Sequence, residues 1–195
     1  MATQRKPAER TIDADLFGTS VQFDYSETWL AYSMLGLRLL LAWVFLQAGL
    51  SKLSEGGWTN PGGWSAEGFL LGGVAEANPF SSLFDFFADF LWLIEPMVLW
   101  GQIFIGLALL FGVAFRFAAA MGALQMLLFW LGAFEGGLMA GFPIAHGYVV
   151  DYTLVYAILL FGLGAWGAGR LLGVDAILEQ SDIVQQNPWL RYFLG

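Results

Sequence analysis

The chain alternates polar ends with long apolar runs. The first 28 residues are polar, carrying Arg5, Lys6 and Arg10, then Asp13, Asp15, Asp24 and Glu27, and they lack the apolar stretch of a cleaved signal peptide. The first long apolar run, Trp29–Leu53, is broken by charge only at Arg38 before Lys52 closes it. At about 1.5 Å per residue it reaches about 37 Å, enough to cross a tilted bilayer core. Ser54–Ser82, with GGWTNPGGW and EANPF, reads as a loop by its turn residues. Leu83–Phe134 is too long for one crossing, and Arg116 divides it at a tight helical hairpin near Phe115–Phe117. Proline suits a first helical turn and damages an interior, so Pro96 is expected to open the second span, 96–115. Leu83–Ile94, with acids at Asp85 and Asp89, then reads as a separate amphipathic helix at the membrane interface. The third span is expected over 117–134 and the fourth over 149–172, with 173–195 as a tail.

The fold class predicted is therefore all-α: an integral-membrane four-helix bundle over 29–172, with an outer interfacial segment between spans 1 and 2. With four spans both termini share a side. That side holds Arg5, Lys6, Arg10, Arg116, Arg170 and Arg191, against Lys52 on the other. The bias makes both termini cytoplasmic by the positive-inside rule and places the chain in the cell membrane as a multi-pass protein.

Composition agrees. Of 195 residues 58% are hydrophobic and 12% charged, and mean hydropathy is +0.65. A soluble domain carries about twice that charge, and a net charge of −8 excludes a nucleic-acid binder. With no cysteine there is no disulfide framework, iron–sulfur cluster or thiolate nucleophile, and one histidine leaves no multi-histidine metal site. The acidic, lysine-poor exterior fits a high-salt, halophilic setting. Small residues at four-residue spacing (Ala118/Gly122 and Ala119/Ala123, then Gly164/Ala168 and Ala165/Gly169) predict close packing of spans 3 and 4.

Few residues can carry chemistry. Arg38 is the most expensive, since a cation within the bilayer costs at least about 2.5–3.5 kcal/mol without a partner or wet cavity. It shares a helical face with Phe45, Gly49 and Lys52. That face reads either as a cationic stripe on a cavity taking a polar or anionic group, or as a side chain snorkelling or pairing with a neighbour. Glu95, before Pro96, reads as a cap at a helix N-terminus or as a partner of Lys52. Gln102 falls on nearly the same face, and Gln125 reads as a structural hydrogen-bonder in span 3. His146 stands five residues before Asp151, close enough for a turn to join imidazole and carboxylate into a proton-handling pair or simply to leave the histidine exposed. Tyr152 and Tyr156 share a face below it. Arg170, about 28 Å along the helix from Asp151, belongs with Arg116 and Asp175 in an inner cluster that fixes helix ends. The outer cluster is Lys52, Glu95, His146 and Asp151.

Three segments carry a family resemblance. RLLLAWVFLQAGLSKL (Arg38–Leu53), GLALLFGVAFR (Gly106–Arg116) and GAWGAGRLLGVD (Gly164–Asp175) resemble the Arg…Gly-x-x-Lys opening, second span and Gly-Ala-Gly-Arg…Asp ending of the DoxX/DoxD family. That family includes the small membrane subunit of thiosulfate:quinone oxidoreductase. The resemblance implies a four-helix membrane bundle. It also implies electron transfer from thiosulfate or a related sulfur compound to a membrane quinone, with a second subunit or a further copy of the chain as partner. It matches Arg38, Lys52, Arg170 and Asp175 to family motif positions and sets His146 and Asp151 in the DoxD-like segment. On this reading His146 and Asp151 are catalytic, and Arg38, Lys52, Glu95 and Tyr152 bind substrate or quinone. The other reading is a non-catalytic membrane module that anchors or assembles partner proteins.

Overall fold

The computed structural model describes residues 9–60, 63–74, 76–134 and 150–195. Its first element is not helical. Strands β1 (Glu9–Leu16) and β2 (Thr19–Ser26) form an antiparallel hairpin in which Ile12 faces Phe23 and Ala14 faces Val21. The alternation puts Ile12, Ala14, Val21 and Phe23 on one face and Thr11, Asp13, Gln22 and Asp24 on the other. Phe17 (φ 54) and Gly18 (φ 79) both take the positive φ that a primed two-residue turn requires. The expectation of an all-α chain is corrected here: the molecule is mostly helical with one small sheet in the polar N-terminal segment.

Helix α1 (Glu27–Ser54) follows the hairpin directly, and Tyr25 packs edge-on against Trp166 with ring centroids 6.5 Å apart. A loop containing a π-helical turn (Gly68–Gly73) leads to α2 (Ser81–Asp89) and then α3 (Leu91–Phe111). The interfacial helix and second span are therefore split at Phe90 rather than at Pro96. The Phe90 carbonyl accepts from the Leu93 and Ile94 amides, so α3 is already turning before the proline. Pro96 sits just inside that start, where its missing N–H costs one bond to an early, weakly constrained turn.

Gly112 (φ 63) closes α3 and Ala114 (φ 45) opens α4 (Phe115–Gly132), so the corner lies ahead of the expected Phe115–Phe117 and Arg116 belongs to the first turn of α4. The fourth helix, α5, is also shorter than the expected 149–172. It runs Tyr152–Trp166 and is stopped by Gly167 (φ 71), whose left-handed backbone caps the helix before a 3-10 turn at Ala168–Arg170. Helices α6 (Asp175–Leu178) and α7 (Asp182–Gln186) complete the tail.

Helices α1, α3 and α4 are long and apolar enough to cross a membrane; α5 is apolar and shorter. Leucine, tryptophan and phenylalanine side chains remain exposed along them, as at Leu40, Trp43, Phe111, Leu127 and Phe161, the surface a bilayer covers. Helix α1 packs along α3 and α4 along α5, around a core that includes Leu41, Phe45, Leu109, Phe115 and Leu160. The α4–α5 contact uses the predicted small residues, for a side chain at Gly164 would lie 3.2 Å from the Ala119 Cβ. The α1–α3 contact is tighter still. A Cβ at Gly106 would stand 2.8 Å from the Leu46 backbone nitrogen.

Candidate functional site

Two polar arrangements occupy opposite ends of these helices. At the α3–α4 corner, Arg38 is 3% exposed and its Nη1 donates to the carbonyls of Ala168 (2.9 Å) and Leu171 (2.6 Å). The guanidinium thus ties α1 to the carbonyls of the 3-10 turn that follows α5. Asp175, fully buried, does the converse. Its Oδ1 accepts from the Ala114 amide (2.8 Å), and its Oδ2 from the amides of Phe115 (2.9 Å) and Gly195 (3.0 Å). Those first two amides are orphan donors at the start of α4. Arg116 Nε donates to the Gly164 carbonyl (3.3 Å). Arg170 forms a two-pronged pair with Glu179 at 2.6–3.0 Å. That hydrogen-bonded pair lowers the Glu179 pKa and raises that of Arg170. Arg116, Arg170 and Asp175 therefore meet at one end, and Arg38, placed with Lys52 by helical spacing, joins them there.

The other end gathers around the loop between α1 and α2. Glu95 neither caps α3 nor pairs with Lys52. Its Oε1 accepts from Ser65 Oγ (2.5 Å) and the Ala66 amide (3.1 Å), pinning the loop to α3. Lys52 Nζ donates to the Ala48 carbonyl (3.1 Å) and lies 5.3 Å from the centre of the Trp64 ring, a cation–π contact. Asp151 caps α5: its Oδ1 accepts from Thr153 Oγ1 (2.7 Å) and the Leu154 amide (3.0 Å). Tyr152 is exposed and meets Tyr156 edge-on at 5.9 Å. His146 lies outside the described residues, and with it the expected pairing to Asp151.

Between the two ends runs a cavity of about 1190 Å³, open along one side where Met97, Phe104, Phe117 and Leu124 are exposed, and above the roughly 300–1,000 Å³ of ordinary small-molecule pockets. It is bounded mainly by α3 and α4, with walls from α1, α2, α5 and the loop. Lys52, Asp151 and Tyr152 line it; Arg38 and Glu95 do not, although Ser65 and Ala66, which Glu95 holds, do. Most of the lining is apolar, as at Phe69, Met97, Phe104, Met121 and Leu124.

Two carboxamides interrupt that lining, Gln102 from α3 and Gln125 from α4. Gln102 is 2% exposed, and the Oε1 of each side chain is buried without a hydrogen-bond partner. A buried polar group left so costs about 1–3 kcal/mol; Arg38 Nε and Ser26 Oγ are also buried without a partner, but only the two glutamine oxygens belong to residues that line the cavity. Sequence reasoning gave Gln125 a structural part and Gln102 only a place near the Glu95 face. The available signal was their position, one glutamine in the middle of each arm of a helical hairpin. A cavity of this kind takes a long apolar molecule with a small polar head. Among the described residues no group of three or more metal-ligating side chains comes together.

A family model, DoxX, matches residues 33–135 of the 195. The match spans α1, α2, α3 and α4, hence both faces of the α3–α4 cavity. No curated protein and no solved structure matches the chain.

Proposed function

Since the chain belongs to the DoxX family, we propose that it is the membrane subunit through which a sulfur-compound oxidoreductase reaches the quinone pool, with the α3–α4 cavity as its quinone site. The single observation that carries this reading is the cavity itself: long, apolar, set among membrane-crossing helices, and provided with two unpartnered carboxamides. A membrane quinone fits that donor set, because its ring and isoprenoid tail are apolar and its two oxygens each need a polar neighbour. When bound, it supplies the two-electron acceptor. A thiosulfate-like donor loses two electrons on a partner subunit, and the acceptor takes these with two protons. No cysteine of this chain takes part, since the sequence has none.

The chain's own residues then divide by position. Lys52, at the loop end of the cavity, attracts an anionic donor. Asp151 and Tyr152 line the same end, and His146, five residues ahead of Asp151 in sequence, is the proton carrier. Glu95 holds the loop wall, and Arg38 holds α1 to the turn after α5. Both act as positioning residues.

Donor-dependent quinone reduction by membranes containing the intact complex tests the proposal. Gly101 lines the cavity, and a Cβ there meets nothing within 4 Å, so Gly101→Phe sets a ring into the cavity beside Gln102 in sequence. Loss of turnover in Gly101→Phe with normal assembly supports the reading, as does loss in His146→Ala and Asp151→Asn. Full turnover in Gly101→Phe contradicts it and favours a module that only assembles partners.

A further inference from the structure

We infer that Gln102 and Gln125 together form the head-group site of the cavity, one carboxamide from each arm of the α3–α4 hairpin, and that they hold a redox lipid in both its quinone and its quinol form. The inference rests on the quinone reading above and specifies its central contact. Depth is the first argument. Gln102 lies nine residues before the end of α3 at Phe111, and Gln125 ten residues after the start of α4 at Phe115. At 1.5 Å per residue these are about 14 and 15 Å from the shared corner. The two carboxamides therefore stand at one level, halfway across an apolar core of about 30 Å.

Their surroundings are the second argument. Both side chains line the same cavity, both have an Oε1 that is buried and unpartnered, and among the described residues no hydrogen bond is made by either carboxamide. Neighbouring lining positions are Gly101, Ile105, Met121, Leu124 and Leu128, none of which offers a side-chain polar atom. A head group at this depth is fixed by the two glutamines or by nothing.

The chemistry of the group is the third argument. A carboxamide both donates, through its NH2, and accepts, through its oxygen, without gaining or losing a proton. Turned one way it donates to a quinone carbonyl; turned the other it accepts from a quinol hydroxyl. An ionisable side chain in the same place favours one redox form by its charge. Two amides on one cavity, one from each helix, can each take one oxygen of the ring and stay indifferent to its oxidation state. The conversion adds two electrons and two protons to the ring oxygens, and neither glutamine can supply those protons. Asp151 is the carboxylate lining the same cavity at its loop end.

Calorimetric titration of the purified full-length chain in detergent tests this, with decyl-ubiquinone, decyl-ubiquinol and the dimethyl ether of the quinol as probes. The ether keeps the acceptor oxygens and loses both donors. Wild type is expected to bind the quinone and quinol within about tenfold of each other and the ether at least about tenfold more weakly than the quinol. In Gln102→Met/Gln125→Met, which keeps length and removes the amides, quinone and quinol weaken by about tenfold or more and the quinol–ether difference disappears. A steric origin of that difference leaves it intact in the variant. Each single methionine variant gives the same readings, halved in extent, if the double variant does not fold. Quinone and quinol binding at wild-type strength in the methionine variants, or equal binding of quinol and ether to wild type, overturns the inference while the quinone reading stands. Failure of wild type to bind either redox form overturns both.

Discussion

Arg38 and Asp175 bury opposite charges at the α3–α4 corner, and each bonds to backbone rather than to the other's side chain, with Arg38 Nε left unpartnered. Removing one carboxylate there strands three amides. Asp175→Ala is expected to cost about 3 kcal/mol or more, and Asp175→Asn less, since the remaining oxygen still accepts. Thermal unfolding in detergent measures both; equal stabilities would show that solvent replaces the carboxylate. Arg38→Leu is expected to be strongly destabilising, with Arg38→Lys intermediate, because an ammonium reaches one carbonyl more readily than two. The exposed Arg170–Glu179 pair behaves differently. Its hydrogen bonds lower the Glu179 pKa in the folded state, so its stabilisation is complete above the ordinary glutamate range, near about 4.3, and fades as pH falls through the lowered value. Glu179→Gln should therefore cost under about 1 kcal/mol at neutral pH and nothing in strong acid. The cost of Arg38 was legible from its place in an apolar run. Its partners were not, because carbonyls 130 and 133 residues along the chain carry no side-chain signature.

Among the elements, α1 and the α3–α4 hairpin were legible because apolar length speaks directly of a bilayer crossing, while the boundaries were set by backbone detail. Pro96 was expected to start a helix that Phe90 starts, and Gly167 ends α5 at a residue whose sequence context is simply small and apolar. The hairpin was legible in principle. Ile12, Ala14 and Leu16 alternate with Asp13 and Asp15, but the density of charge ahead of Trp29 masks that period. The α1–α3 seam was missed as well. Gly49 and Gly106 are single glycines without the four-residue repeat that marks α4 and α5, yet a Cβ at Gly49 would come within 2.6 Å of Ile103 Cγ1. A Cβ at Gly106 would meet Leu46 Cγ at 2.7 Å and the Leu46 backbone nitrogen at 2.8 Å, so a change of rotamer relieves only part of the contact. Gly106→Val should push α1 from α3 and cost about 1–3 kcal/mol, read as a lower unfolding temperature. An unchanged temperature would mean that the two helices part freely.

At the scale of the whole molecule, three membrane-crossing helices and a shorter fourth set one polar end of mainly buried hydrogen bonds against another that opens into the cavity. The cation bias predicts that the hairpin and the corner share the cytoplasmic side. Single cysteines at Thr19 and Asn60 should then label from opposite faces of sealed vesicles, Asn60 from outside; labelling of both from one face contradicts that orientation. The membrane class and the family were legible in the sequence. The cavity was not, since it arises from how α3 and α4 stand apart, which no single-helix periodicity records. The most direct measurement is photolabelling of the purified complex with an azido-quinone, followed by peptide mapping. The account predicts label confined to the cavity-lining stretches of α3 and α4 around Gln102 and Gln125, and competed by excess quinone. Label that falls outside those stretches, or that excess quinone leaves in place, would contradict it.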